Sequence, residues 1–232
     1  MIEAYITNLG KYNEGELCGE YLKLPATKED VQSLLARIGV DGVLYEEIFI
    51  TDYETDVGGL YDCLGEYESV DELNYLATLL SDMDEWDLEK FSAVLEYGEY
   101  TSSVKNLINL TQNLDGYGYL QGIEDEEDLG RFYSDELNVP EHLVNYIDYE
   151  AYGRDISLNG GGIFTKGGYI ENYGDSFTEH YGGSDDIPDE YRIFAYPDPP
   201  EKMPMKEQLA MYGRMVSAQA AADRPAPARE GR

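Results

Sequence analysis

A chain of 232 residues with 48 Asp and Glu against 16 Lys and Arg carries a formal net charge of −32, and its length suits one large or two to three small domains. Binding phosphates needs clustered cations, so this balance all but excludes nucleic acid as a direct partner and disfavours an anionic membrane surface; basic proteins or cations are left. The sequence has no run of about eighteen apolar residues and no basic, then apolar, then small-residue leader at Met1, which predicts a cytoplasmic protein.

High charge with low hydrophobicity is a signature of disorder, but periodic apolar segments argue for folding over most of the chain. From Ala4 to Leu9 the sequence alternates and breaks at Gly10, predicting a strand; the loop Lys11 to Glu16 leads to a second strand, Leu17 to Leu24, closed by Pro25. Thr27 and Asp30 have capping-box spacing ahead of a short helix with Val31, Leu34, Leu35 and Ile38 on one face and Gly39 as its stop. Glu46 to Tyr53 reads as the third strand. From Ser69 to Leu95 apolar residues recur at three and four: Leu73, Leu76, Leu79 and Leu80 form one stripe, Leu88, Phe91, Val94 and Leu95 another, with Ser69 and Glu72 as a capping box. A helix from about Ser103 to Gln112 turns Val104, Leu107 and Ile108 inward. Gly116 to Ile123 reads as a strand, and Asp125 to Leu137 as a helix whose acidic first turn suits the positive end of its dipole.

Pro140 to Ile156, PEHLVNYIDYEAYGRDI, reads as one amphipathic helix with Pro140 at its first position. Leu143, Val144, Ile147 and Ala151 share a core-facing arc, and Asn145, Asp148, Tyr149 and Tyr152 point outward. Gly153 is the expected left-handed stop. Arg154, Asp155, Ile156 and Ser157 then return to alternation and start a strand, with further strand structure over Gly162 to Ile170. After Tyr173 the chain is acidic and rich in Gly, Pro and Tyr, and the charge changes sign over 201–232. Pro204 to Ala222 fits a Met-rich helix and the final RPAPAREGR fits disorder; the tail either lies on the acidic body or stands as an extra.

Catalytic and metal-binding patterns are sparse. His142 and His180 lack HExxH or Cys partners, Cys18 and Cys63 sit in no CxxC pair, and Gly160, Gly161 and Gly162 fit a hairpin better than a phosphate loop. Acidic pairs such as Glu46-Glu47 and Asp185-Asp186 belong to no EF-hand loop. No enzyme activity, cofactor or metal is expected. The 22 tyrosines, against 6 phenylalanines, often stand beside acids, and a phenol covers apolar surface while its hydroxyl stays wet, which suits a partner-facing surface.

Three segments bear a resemblance to the ArdA antirestriction proteins: AYITNLGKYNEGELCGEYLKLP from Ala4 to Pro25, EEIFITDYE from Glu46 to Glu54, and NYIDYEAYGRD, which resembles the family's antirestriction motif. They occur in the family's order, and the similarity spans about Met1 to Tyr173. The resemblance implies a DNA mimic that occupies the DNA-binding groove of type I restriction-modification enzymes, inhibiting restriction and often modification, as such proteins do when carried on plasmids and conjugative transposons. It implies an elongated α+β fold of three small domains and a homodimer formed through the last. On this sequence the domains are 1–62, an antiparallel sheet plus helix; 63–102, helical; and 103–172, α+β with the motif; residues 173–232 form a partly disordered extension. The motif positions are Asn145, Tyr146, Ile147, Asp148, Tyr149, Glu150, Ala151, Tyr152, Gly153, Arg154 and Asp155, serving either dimer assembly or enzyme contact. The phosphate-like candidates are Glu46, Glu47, Asp52 and Glu54, then Asp82, Asp84, Glu85 and Asp87, then Asp125, Glu126, Glu127, Asp128, Asp135 and Glu136. Residues 1–172 hold 37 acidic against 9 basic residues; the net charge of two such chains matches roughly 95 Å, about 28 base pairs, of duplex phosphate. The alternative is an acidic scaffold or ion-binding protein acting on other basic partners.

Overall fold

The computed structural model describes residues 1–134 and 139–198. Alternating Ile2, Ala4 and Ile6 put one face of β1 (Ile2–Asn8) into the core, and β1 is the centre of a three-stranded antiparallel sheet between β2 (Gly19–Leu24) and β3 (Ile48–Thr55). A short helix, α1 (Leu9–Asn13), occupies the stretch expected as a loop, because Asn8 accepts the Lys11 amide and so caps a first turn. The second strand begins at Gly19, later than expected, and leaves Leu17 exposed. The third strand begins at Ile48, so Glu46 and Glu47 precede it in the connecting loop.

Helix α2 (Lys28–Ile38) covers the sheet with Val31, Leu34, Leu35 and Ile38, each burial contributing about 1.5–3 kcal/mol at most. Its capping box is complete: the Thr27 side chain accepts from the Asp30 amide and Asp30 accepts from the Thr27 amide, and Gly39 ends the helix at φ 77°. Helices α3 (Val70–Asp82), α4 (Glu85–Tyr97) and α5 (Val104–Thr111) start at Ser69, Asp84 and Ser103, each accepting an amide in the first turn. They lie between the first sheet and a second antiparallel one, in which β6 (Gly168–Asn172) is flanked by β4 (Tyr117–Gln121) and β5 (Ile163–Phe164). The result is a mixed α+β fold with two small antiparallel sheets, and buried side chains from Ile2 to Ile193 join in one cluster.

The stretch after Pro140 departs from expectation. Residues Glu141–Tyr146 form a 3-10 turn with Leu143 and Val144 exposed, and the α-helix, α7, runs Tyr149–Gly160. Asp148 redirects the chain: its carboxylate accepts the Ala151 amide at 3.0 Å and starts the helix there. Gly153 is a buried mid-helix residue, and Gly161, at φ 71°, is the left-handed stop. Arg154 to Ser157 therefore continue the helix and form no strand.

Candidate functional surface

Helix α7 packs on α6 (Glu126–Ser134) through two glycines. A Cβ on Gly153 would overlap the Glu126 carbonyl, and one on Gly130 would overlap the Tyr149 carbonyl. The backbones meet where neither helix has a side chain, and the motif segment is thereby fixed against the acidic first turn of α6. Arg131 joins the two helices, pairing with Glu127 and lying 4.4 Å from the centre of the Tyr149 ring. Around this pair Leu143, Val144, Tyr146, Leu158 and Phe132 are exposed. Within the motif, Asn145, Tyr146, Asp148, Glu150, Arg154 and Asp155 are exposed, Ile147, Tyr149, Ala151 and Tyr152 are half-buried, and Gly153 alone is buried.

Arg154 bonds Glu150 one turn earlier, with side chains 51% and 63% exposed. Such a wet pair contributes little, so Arg154→Ala is expected to change stability by less than about 0.5 kcal/mol in a thermal melt. A larger loss would show that the guanidinium has a structural role beyond this pair.

The acidic candidates fall in separate places. Glu46, Glu47 and Glu54 are exposed at or beside β3, and Asp52 accepts the Tyr21 hydroxyl at 2.7 Å. Asp82, Asp84, Glu85 and Asp87 cluster where α3 ends and α4 begins, and Asp84 caps α4. Asp125 caps the first turn of α6 through the Asp128 amide, Glu126 and Asp128 are half-buried, and Glu127 is paired. Asp135 and Glu136 lie outside the described residues. Several carboxylates are thus anchored by backbone amides, which fixes their direction as a free surface acid is not fixed.

Others were not singled out by sequence reasoning. Asp41 accepts the amides of Val43, Leu44 and Tyr45 at 2.9, 2.8 and 3.1 Å; burial pushes its pKa up, but these bonds outweigh that and hold it below the ordinary value. Glu20 receives both arms of Arg37 at 2.8 Å, and that bonding lowers its pKa. The available signal was an Asp two residues before a Val-Leu loop, and an Arg one helix away from a strand acid. Among the described residues most cations have an acidic neighbour: Lys23, Arg37, Lys105, Arg131, Arg154 and Arg192 each lie within 4.0 Å of a carboxylate.

Tyrosine hydroxyls donate to Asp52 and to further carboxylates, Glu14, Glu72, Glu99 and Glu171. The bond to Asp52, then desolvation, pushes Tyr21 up to about 12; burial, then the Glu171 charge, does the same for Tyr133. Burial also raises Tyr53, Tyr117 and Tyr181. In the unfolded chain these phenols ionise near pH 10. Between about pH 10 and 12 the folded chain therefore binds more protons than the unfolded one, and stability falls as pH rises. Unfolding followed by circular dichroism is expected to coincide with phenolate absorbance in that window; a helix signal intact at pH 12 with every phenol ionised would contradict this.

A cleft of about 960 Å³ separates β2 and α2 from α3 and α4, lined by Tyr21, Lys23, Arg37, Asp56, Glu85 and Glu89 among others. Ser33, Ser81 and Ser92 also line it, and the Ser81 hydroxyl donates to the Ala77 carbonyl at 2.7 Å. Among the described residues no group of three or more His, Cys, Asp or Glu could hold a metal ion, and no helix is long and apolar enough to cross a membrane.

A model of the antirestriction protein (ArdA) family matches residues 4–171. The chain belongs to the ArdA family. No curated protein matches it. Membership implies an antirestriction function and an interaction with type I restriction-modification enzymes. All three quoted segments fall inside the match, which ends just before Asn172, and residues 173–198 lie outside it.

Proposed function

We propose that this ArdA protein is a DNA mimic: its anchored carboxylates take the positions of duplex phosphates in the DNA-binding groove of a type I restriction-modification enzyme. The observation that carries the reading is the asymmetry of the surface charge. Asp84 and Asp125 are held by helix caps and Asp52 by a tyrosine, whereas among the described residues most cations lie beside a carboxylate. The outward field is then strongly negative and fixed in direction, as a groove built for phosphates requires. Affinity is distributed over many exposed ion pairs, so binding is fast and salt-sensitive.

The three-unit division at about residues 62 and 102, and a homodimer joined through the third unit, belong to the same proposal. Exposed Leu143, Val144, Tyr146 and Leu158 beside the motif helix support that joint. Sedimentation equilibrium is expected to report a dimer; a monomer at micromolar concentration would remove the doubled charge array.

The deciding experiment is DNA cleavage by a purified type I restriction enzyme with the protein titrated in at low and moderate salt, beside an equally acidic unrelated control. Inhibition near one dimer per enzyme, weakened by salt and absent in the control, supports the mimic. Inhibition matched by the control points to an unspecific acidic scaffold, and none across several type I enzymes sinks the reading.

A further inference from the structure

Residues 173–198 form neither α-helix nor strand, yet they are pinned along their length. Leaving β6, the chain crosses α5 and α3 and reaches α2, and the side chains of those helices satisfy its backbone. Asn109, fully buried on α5, accepts the amides of His180 and Tyr181 at 2.7 and 2.8 Å and donates to the Tyr181 carbonyl at 2.8 Å. Asn113 accepts the Thr178 amide and donates to its carbonyl, both at 2.9 Å. Asp71 on α3 accepts the amides of Ile193 and Phe194 at 2.7 Å. Asn74, also buried on α3, donates to the Tyr191 carbonyl and accepts the Ala26 amide, so one side chain touches the strap, a central helix and the segment leading into α2.

Aromatic and aliphatic contacts follow the same route. Phe177 stacks on Tyr100 with ring centres 3.7 Å apart, Tyr75 lies against both Tyr181 and Tyr191, and Tyr181, Ile187 and Ile193 are buried. At the far end the Tyr196 ring covers Gly42 where a Cβ would collide, the Tyr196 hydroxyl donates to the Glu46 carbonyl at 3.0 Å, and the Gln32 side chain donates to the Tyr196 carbonyl at 2.9 Å. The strap thus starts on the second sheet and ends on the loop that presents Glu46 and Glu47. A connecting segment would leave its amides to water; here they are fixed in one register.

We propose that residues 174–198 are a brace that holds the N-terminal sheet and its 41–46 loop at a set position relative to the helices and the second sheet. Two segments distant in sequence are tied to one strap, so relative motion of the two ends breaks several bonds together. The consequence for the carboxylates rests on the mimicry reading: acids held in one arrangement lose less freedom on meeting a rigid basic groove. The bracing itself does not rest on it.

The test uses the full-length protein with Tyr196→Ala and, separately, Asp71→Ala, both at positions outside the deep core, with thermal melts to confirm folding. Hydrogen exchange is expected to quicken about tenfold in 41–46 as well as in 190–198, and small-angle scattering to show a broader distance distribution. Quickening confined to 190–198, with 41–46 and the scattering unchanged, would make the strap a passive cover and overturn the brace. Restriction assays on the same variants separate the two proposals: failure of the wild-type protein to inhibit ends the mimicry reading and leaves the exchange result to judge the brace.

Discussion

Replacing Gly153 by Ala is expected to destabilise the protein by about 3 kcal/mol, a fall of roughly 6–12 °C in melting temperature for a chain of this size, and to weaken inhibition with it. Helix propensity alone predicts the opposite sign, since Ala is favoured over Gly by about 1 kcal/mol inside a helix. Packing decides, because the new methyl overlaps the Glu126 carbonyl, a backbone atom of α6 that cannot rotate aside. The two helices must separate, displacing Tyr149 from Arg131 and turning the motif away from the acidic turn of α6. Gly160→Ala is the control: its Cβ would meet only the side chains of Glu171 and Tyr169 at 3.4 and 3.8 Å, so it should be neutral or slightly stabilising. Equal melting temperatures for Gly153→Ala and wild type would show that α6 and α7 do not cross at these glycines.

The same pair of helices marks where the sequence was readable and where it was not. Local signals held: Thr27 with Asp30 and Ser69 cap the helices their spacing predicted, and the alternation that begins at Ala4 falls in the central strand. Leu143, Val144, Ile147 and Ala151 fitted a helical arc too, but periodicity does not reveal that Asp148 caps a new helix inside that run. Nor does it distinguish a terminating glycine from one at a close crossing, since that role for Gly153 depends on Gly130 in another helix. The strap was illegible for a related reason. Its backbone partners are side chains on and beside α3 and α5 rather than a regular ladder, so its Gly, Pro and acid content read as part of a partly disordered extension. The readable trace lay elsewhere, in Asn74 and Asn109, amides on the buried arcs of two otherwise apolar helices. The acids were visible from composition, but which of them are anchored was not.

Anchoring matters to the outcome of neutralising the acids in groups. Replacing Glu46, Glu47, Asp52 and Glu54 together, or Asp82, Asp84, Glu85 and Asp87, or Asp125 to Asp128, by their amides is expected to weaken binding to the restriction enzyme in steps. At about 0.5 kcal/mol for each exposed pair, four lost charges amount to about 2 kcal/mol, roughly thirtyfold in Kd, and a single loss to only two- or threefold. Asparagine still accepts a helix-capping bond, so Asp84→Asn and Asp125→Asn keep the starts of α4 and α6. Removing like charges also relieves self-repulsion, so the melting temperature should hold or rise, and weaker inhibition then cannot be assigned to unfolding. Differences among the groups should shrink at 1 M salt, where the screening length falls from about 10 Å to about 3 Å. One acid whose single replacement abolished inhibition, with its neighbours inert, would be incompatible with a distributed phosphate mimic, because no exposed ion pair carries that much of the binding energy. Graded loss in all three groups would instead place the enzyme's contact along the first sheet, the junction of α3 and α4, and the first turn of α6.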